Sequence, residues 1–331
     1  GCIGQIVVLE VDAATALDAD TTADGADINV DSITNLPARA INAAAGDVTL
    51  TSTTTINNNA ATDGVANIIG GIIDLAANLG GIGQTAVVEI DAATRLNAVT
   101  TADGSDISLD SISDLPVGNI NAIEGGTPNV AGMTEGVVTL NSTAAIDNAN
   151  ATDGVANITA GEITLAATSG GIGQTNVLEV DASRALDADS SADDGHISIN
   201  SITALPARAV NAAGGDVVLT ATTTIDNDAA ADGTANVIGN VIDLTAASGG
   251  IGHLATLEVD ADTALDADST ADGSNIDIDS ITNLPARAIN AAAGNVTLTS
   301  TETINNDAAG DGTANVIGDE IALTATGGGV G

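Results

Sequence analysis

The chain contains no tryptophan, tyrosine or phenylalanine, and its 331 residues include one cysteine and one methionine. Without aromatic side chains, any fold that needs a bulky ring at its centre is excluded. A single cysteine excludes a disulfide framework within the chain. No run approaches the roughly eighteen consecutive apolar residues that suggest a membrane-spanning helix, so we predict no membrane-spanning segment.

Positive charge is also scarce. Five basic residues, all arginine, stand against 45 aspartates and glutamates, which gives a net charge of −40. Proteins bind the phosphates of nucleic acids through lysine and arginine, so we expect no nucleic-acid partner. A surface so strongly of one sign suits a self-repelling protein surrounded by counter-ions.

What the chain does contain is a long repeat. A glycine corner, Gly-Gly-Ile-Gly or a close variant, places its aliphatic residue at Ile3, Ile82, Ile172, Ile251 and Val330. The interval is 79 residues except in the second copy, which carries an 11-residue insertion near 122–137. The predicted repeats are 3–81, 82–171, 172–250 and 251–329.

Short runs within each repeat alternate apolar and polar residues, as Val48 and Leu50 do in "DVTLT". This period of two, bounded by Asp-Gly and Gly-Gly turns, predicts short β-strands with one buried face. Half-repeats of about 39–40 residues favour an all-β parallel β-solenoid with about 20 residues per turn and four turns per repeat. We expect one continuous solenoid over residues 1–331. The alternative is a string of immunoglobulin-like β-sandwich domains of about 80 residues each.

Three stretches carry a resemblance to a known family: "GDVTLTSTTTI", "LPARAINAAAGDVTL" and "GGIIDLAANLGGIG". They resemble the filamentous-haemagglutinin type of repeat, which occurs in large bacterial exoproteins and adhesins. The resemblance covers the whole chain at the level of the repeat. It implies a right-handed parallel β-helix on the outside of a bacterial cell.

The strongest candidate for chemistry is an acidic loop, Asp-x-Asp followed by a later Asp-Gly turn. Calcium binds six to eight oxygen ligands, and this pattern supplies several of them. Aspartates in such turns also cap their own backbone, so a solvated turn is the alternative. The second copy breaks the pattern with Asn97 and Val99. The candidate calcium ligands are Asp18, Asp20, Asp24, Asp187, Asp189, Asp193, Asp226, Asp228, Asp232, Asp266, Asp268 and Asp272.

Other motifs favour a structural role. The glycine corner lacks the lysine of a phosphate-binding loop, so we interpret it as a tight turn that needs positive φ. The two histidines, His196 and His253, stand at different places in the repeat, which favours surface positions over metal binding. No Ser-His-Asp or Cys-His set recurs, and we predict that the protein is not an enzyme, with no cofactor other than possible calcium.

Arginines follow Leu-Pro-Ala in three copies, as Arg39, Arg208 and Arg287. We expect them to neutralise neighbouring acids. Cys2 takes a place where other copies have glycine. A covalent cross-link between chains, a lipid anchor and simple drift among small residues stay open as readings of this cysteine.

These observations predict an extracellular or cell-surface protein of a bacterium or other microbe. The first residues of the chain are in the same phase of the repeat as the last, so we expect copies to stack head to tail or the array to continue, as in a filament. Two alternatives stay open. One is the stalk of a surface adhesin, and the other is a calcium- or salt-dependent surface-layer component.

Overall fold

The computed structural model describes residues 3, 7–21, 25–59, 62–123, 135–190, 195–269, 273–307 and 312–331. Over these residues the chain is all-β, without a helix, and its parallel strands stack as a β-solenoid, which confirms the predicted fold class. The chain divides into two compact units, Gly1–Ser169 and Gly170–Gly331. Each unit holds two repeats, and a continuous solenoid over the whole chain stays a prediction.

The described part of unit 1 contains short strands, mostly of three to seven residues. They are β1 (Leu9–Val11), β2 (Leu17–Asp20), β3 (Ile28–Ser32), β4 (Leu36–Asn42), β5 (Val48–Ser52), β6 (Ile56–Asn58), β7 (Ile68–Ala77), β8 (Val88–Thr100), β9 (Ile107–Ser111), β10 (Leu115–Asn121), β11 (Val137–Ser142), β12 (Ile146–Asn148) and β13 (Ile158–Ala167).

Unit 2 repeats the same series. Its strands are β14 (Leu178–Asp189), β15 (Ile197–Ser201), β16 (Leu205–Asn211), β17 (Val217–Ala221), β18 (Ile225–Asn227), β19 (Val237–Ala246), β20 (Leu257–Ser269), β21 (Ile276–Ser280), β22 (Leu284–Asn290), β23 (Val296–Ser300), β24 (Ile304–Asn306), β25 (Val316–Ile317) and β26 (Ile321–Ala325).

Within a unit the chain visits two columns of stacked strands alternately. In unit 1 each residue of the first column pairs with the next, in the order Ile3, Ile28, Val48, Ile73 and Leu96. The second column follows the order Leu36, Ile56, Ile82, Ile107 and Val138. All of these pairings are parallel, as expected for a chain that coils in one direction.

The turn is longer than the sequence predicted. Ile3 and Ile82 hold the same place in successive repeats, yet they stand in different columns, so a repeat makes three and a half turns. The prediction of four 20-residue turns per repeat is therefore wrong. Loops explain the difference. The step from Val48 to Ile73 spans 25 residues because the segment 59–67 is inserted between β6 and β7.

Side chains along the straight strands alternate between the interior and the solvent. In β3, Ile28 and Val30 are buried, whereas Asn29 between them is half-buried. Burying one such aliphatic side chain contributes about 1.5–3 kcal/mol. Alanines such as Ala38 fill narrower places in the core. Stacked aliphatic side chains therefore fill the interior, and no aromatic ring is needed.

Buried serines close the corners that follow the straight strands. Ser32 Oγ donates to the carbonyl of Asn35 at 2.8 Å. Ser52 pairs in register with Ser32, and its Oγ lies 2.7 Å from the carbonyl oxygen of Thr34 and 3.0 Å from that of Thr55. Buried polar groups are costly unless they are hydrogen-bonded, so each hydroxyl satisfies carbonyls that the turn would otherwise leave unpaired.

The insertion of the second repeat leaves the strand frame unchanged. The backbone N–H of Gly136 donates to the carbonyl of Ala122 at 3.0 Å, which closes the frame across the inserted segment. On its far side, Val138 pairs with Ile107 as Val48 pairs with Ile28. Among the residues that the structure describes, no helix has the length and apolar character to cross a membrane.

Candidate functional site at the junctions between repeats

In three of the four Asp-x-Asp pairs the first aspartate lies beside an arginine. Arg39 Nε donates to Asp18 Oδ1 at 2.9 Å, and the guanidinium also reaches the second carboxylate oxygen. This hydrogen bond is the main reason why the pKa of Asp18 is below its ordinary value. The same ion pair recurs between Asp187 and Arg208 and between Asp266 and Arg287. These contacts confirm that the arginines neutralise neighbouring acids.

The second repeat replaces this ion pair by a different arrangement. Asn97 stands in the place of the aspartate and donates to Asp74 Oδ1 at 2.6 Å. Gly118 stands in the place of the arginine, and a Cβ there would lie only 2.6 Å from Cγ of Arg95. The stem of Arg95 therefore occupies the space above Gly118. Its buried Nε has no hydrogen-bond partner among the described residues.

The second aspartate of these three pairs stands at or near the end of a strand. Asp20, Asp189 and Asp268 each pair in register with an asparagine of the next turn. The third members of the same three sets lie outside the described residues; they are Asp24, Asp193 and Asp272. Within the part of the chain that the structure describes, no three His, Cys, Asp or Glu side chains are grouped closely enough to hold a metal ion. Calcium binding stays a prediction.

The aspartates that follow β17 serve the backbone. Asp226 is buried, and its Oδ1 accepts the N–H of Leu254 at 2.8 Å. Asp232 Oδ1 accepts the N–H of Thr234 at 2.9 Å, which is an Asx turn. The backbone N–H of Asp228 donates to the carbonyl of Ala207 at 3.1 Å. Asp232 thus shows the turn-capping alternative, whereas Asp226 bonds the backbone of the next repeat.

The glycine corner is a turn with positive φ, as predicted. Gly252 has φ of +65°, and a Cβ there would lie 1.9 Å from the carbonyl oxygen of Asp277 in the adjacent turn. Gly83 and Gly173 have the same conformation and the same obstruction. Only glycine combines this dihedral angle with so close an approach of backbones.

Each junction between repeats inside a unit also contains a buried glutamate that the sequence patterns had not singled out. Glu258 in β20 is 1% exposed. Its carboxylate accepts the backbone N–H of Asp232 at 3.0 Å and that of Gly233. These two donors belong to the Asp-Gly turn of the preceding repeat. The same contacts recur in unit 1 between Glu89 and the N–H groups of Asp63 and Gly64.

Two asparagines complete this arrangement. Asn227 Nδ2 donates to Glu258 Oε2 at 3.3 Å, and Asn236 Nδ2 donates to Asn227 Oδ1 at 3.1 Å. Asn236 also brackets the glutamate backbone, because its Oδ1 accepts the N–H of Glu258 at 3.0 Å and its own N–H donates to the Glu258 carbonyl at 2.7 Å. We call this set the junction clamp. Its members are Asn227, Asp232, Gly233, Asn236 and Glu258 in unit 2 and Asn58, Asp63, Gly64, Asn67 and Glu89 in unit 1.

The junction clamp joins strands as well as side chains. In unit 2, β19 pairs with β20 from Val237–Val259 to Ala246–Ser269. Two backbone N–H groups and a side-chain amide donate to this carboxylate. These charged hydrogen bonds fix the register of one repeat on the next. A strand without glutamate at this position would leave those donors unpaired, which is costly where they are buried.

Burial raises the pKa of three aspartates of unit 2, and like charge adds to the effect in two of them. Burial raises the pKa of Asp243, and the neighbouring carboxylate of Asp266 raises it further. Burial raises the pKa of Asp277. It also raises the pKa of Asp279, to which Glu258 contributes, and Asp279 Oδ1 is buried without a hydrogen-bond partner among the described residues. These three acids therefore resist ionisation.

The two histidines and Cys2 are the remaining candidate residues. His253 is exposed, as predicted, whereas His196 is half-buried and its Nδ1 accepts the N–H of Asp216 at 2.8 Å. Cys2 lies outside the described residues, so its cross-linking or lipid-bearing role stays a prediction. Comparison with protein-family models, with curated proteins and with solved structures found no match to this chain.

Proposed function

We propose that this chain is a structural segment of an extracellular fibre, which grows when further β-solenoid turns are added in register, either by continuation of the array or by stacking of copies. The observation that carries the proposal is the way one repeat docks on the next inside a unit. Ile242 and Leu244 are both 0% exposed, because β20 of the next repeat covers them. At the same place one repeat later, Ile321 and Leu323 in β26 are 46% and 36% exposed.

An added turn would gain from the same contacts. It would cover these aliphatic side chains, and complete burial of one such side chain stabilises by about 1.5–3 kcal/mol. It would also pair the outer edge of β26, which bonds on its other side to β23. Unpaired strand edges are ready templates for another strand. Both effects favour growth along the stacking direction.

The resemblance to filamentous-haemagglutinin repeats supports a place on the outside of a bacterial or other microbial cell. The net charge of −40 fits such a setting, because like-charged fibres repel sideways contacts and stay dispersed. The side chains of the recurring ion pairs and of the junction clamp hold neighbouring turns together. A structural role explains these contacts without chemistry on a substrate.

A salt- or calcium-dependent surface layer is a second candidate, which one observation favours. Asp277, Asp279 and Glu258 lie close enough for their charges to raise the pKa of Asp279. Cations around such a surface would screen this repulsion. If this candidate holds, adding a chelator in the presence of calcium will lower the melting temperature, whereas an unchanged melting temperature would contradict it.

Electron microscopy and light scattering of the purified 331-residue chain test the fibre. We expect elongated particles whose length increases with protein concentration. Leu323→Asp places a charge on the exposed face of β26 and should abolish this growth. Val218→Asp is the matched control, because Val218 is an exposed valine in β17, and it should leave growth intact. Particles that stay monomeric at every concentration would contradict the proposal.

A further inference from the structure

We infer that the second repeat carries a binding pocket for a small, hydroxyl-bearing monocarboxylate, whose carboxylate is held by the guanidinium of Arg95. The pocket lies within unit 1 and has a volume of about 370 Å³. It is lined by residues of β8, of β10 and of the loop between β12 and β13. This inference goes beyond the proposed fibre, because the pocket needs no second copy of the chain.

The pocket lies where the second repeat departs from the other three. Arg95, Asn119 and Asn150 all line it, and each stands where every other repeat has alanine. These alanines are Ala16, Ala40, Ala60, Ala185, Ala209, Ala229, Ala264, Ala288 and Ala308. Three different elements of the fold therefore each contribute one added hydrogen-bond donor to the same pocket.

Negative charge is removed from the same region. Asn97 lines the pocket and stands where the other repeats have the aspartate of the ion pair. Ala149, in the loop, stands where the third and fourth repeats have Asp228 and Asp307. The second repeat thus adds an arginine and takes away the acid that would have paired with it.

The donors of the pocket are not occupied by the protein. No hydrogen bond or ion pair joins the side chain of Arg95 to another described residue, and its Nε is buried. The side-chain amides of Asn119 and Asn150 are exposed, and they too have no hydrogen-bond partner in the described part of the chain. A guanidinium that is partly buried without an acceptor is costly, which favours a bound anion.

The walls of the pocket are held in place without a ligand. A Cβ at Gly118 would lie 2.6 Å from Cγ and 2.7 Å from Cδ of Arg95, so the arginine stem lies across this glycine. Asn97 Oδ1 accepts the N–H of Asn119 at 2.8 Å. Asn157 Nδ2 donates to the carbonyl of Gly118 at 3.2 Å, which ties the loop to β10. A pocket already in shape loses less entropy when it binds.

A monocarboxylate fits these groups better than other anions. The planar guanidinium binds a planar carboxylate through two parallel hydrogen bonds. Asp153 also lines the pocket, and its Oδ1 accepts the N–H of Val155 at 3.0 Å. This acid and the net charge of −40 repel a dianion such as phosphate more than a monoanion. The two free amides bind hydroxyl groups of the ligand, and Val155, which is 64% exposed, provides an apolar wall.

Arginine side-chain NMR tests the pocket, with glucuronate as the probe. The chain has only five arginines, so their Nε–H signals are few, and the signal lost in Arg95→Gln identifies Arg95. At fixed ionic strength, we expect glucuronate to shift this signal until it saturates. Acetate, which has the carboxylate without the hydroxyls, should also shift it but bind more weakly. Glucose, which lacks the carboxylate, should leave it in place.

Three variants test the roles of the side chains, with affinity measured from the backbone amide signal of Gly118. Arg95→Gln should weaken glucuronate binding by at least about tenfold, the effect of losing a hydrogen bond between charged groups. Asn119→Ala restores the residue of the other repeats and should weaken glucuronate binding about threefold without changing acetate binding. Arg39→Gln removes an arginine that is already paired in the same unit, and it should leave binding within about twofold. Circular dichroism confirms that each variant folds.

The outcomes decide the inference independently of fibre growth. A saturable shift of the Arg95 signal, with affinity lost in Arg95→Gln and kept in Arg39→Gln, supports it. Five arginine signals that move together without saturation would mean that the ligand only screens charge, which overturns the pocket. Phosphate that binds more tightly than glucuronate, or glucose that binds equally well, would overturn the assignment of a monocarboxylate.

Discussion

Replacing Glu258 by alanine removes the acceptor at the centre of the junction clamp in unit 2. The backbone N–H groups of Asp232 and Gly233 and the amide of Asn227 then lose their common partner. A hydrogen bond to a charged group contributes about 1.5–3 kcal/mol. Because the Asp-Gly turn is partly open to water, we take the low end for its two bonds and expect unit 2 to lose about 3 kcal/mol. That is a large share of the roughly 5–15 kcal/mol that stabilises a domain.

Two measurements check this value. The chain has no tryptophan or tyrosine, so urea unfolding is followed by far-ultraviolet circular dichroism rather than by fluorescence. Hydrogen exchange reports the site directly, because the amides of Asp232 and Gly233 should exchange much faster in Glu258→Ala. Glu302→Ala removes an exposed glutamate and should change the free energy of unfolding by no more than about 0.5 kcal/mol.

Two results together would contradict this role of Glu258. One is a loss of less than about 1 kcal/mol in Glu258→Ala, which is below a single charged hydrogen bond. The other is unchanged protection of the two turn amides. Together they would mean that the backbone pairing of β19 with β20 holds the junction without the carboxylate.

Three further predictions concern the glycine corner and the acids. Gly252→Ala should lower the free energy of unfolding in urea by about 2–4 kcal/mol, because it combines a positive φ with a close contact to a carbonyl oxygen. Gly273 also has a positive φ but has open space around its Cα, so Gly273→Ala should lower it by only about 1–2 kcal/mol. Asp279→Asn should raise the melting temperature near pH 7, since the raised pKa of Asp279 means that its ionised form opposes folding. This gain in melting temperature should shrink as pH falls through the raised pKa. A gain that persists in acid would contradict the prediction. Arg39→Gln should raise the pKa of Asp18 towards 3.8 in a carboxyl NMR titration, because the hydrogen bond from Arg39 is what lowers it. The ion pair adds to stability above the ordinary pKa of Asp18, and this stability is lost as pH falls through the lowered pKa. A titration that does not move would count against the ion pair.

Local patterns predicted much of the fold. Alternation in "DVTLT" correctly placed Val48 and Leu50 in the core, since a strand that buries one face has a period of two. The glycine corner and the ion pairs of the arginines were also predicted. Each depends on a few neighbouring residues whose chemistry leaves few options.

The turn count depends on something that local patterns do not contain. Whether a repeat closes three and a half or four turns is decided by how much chain each loop takes up before the next strand docks. The segment 59–67 adds residues to one half-turn, and its described residues, 59 and 62–67, form no strand. The sequence shows its length but not the column to which the chain returns.

The junction clamp was missed for a different reason. Alternation places Glu89 between Val88 and Ile90, on the side expected to face water. It is buried because a loop of the preceding repeat covers it. A signal was nevertheless available, since glutamate recurs at Glu10, Glu89, Glu179 and Glu258 while other outward positions vary between acid, amide and hydroxyl.

Fibre diffraction from aligned assemblies of the 331-residue chain tests whether fibres grow by adding turns in register. If turns of one copy stack on turns of the next in the internal register, the spacing between strands, about 4.8 Å, must appear along the fibre axis. We predict a sharp meridional reflection at this spacing, lost in Leu323→Asp and kept in Val218→Asp. Assemblies with strands along the fibre axis, or chains that join only side by side, would contradict the account.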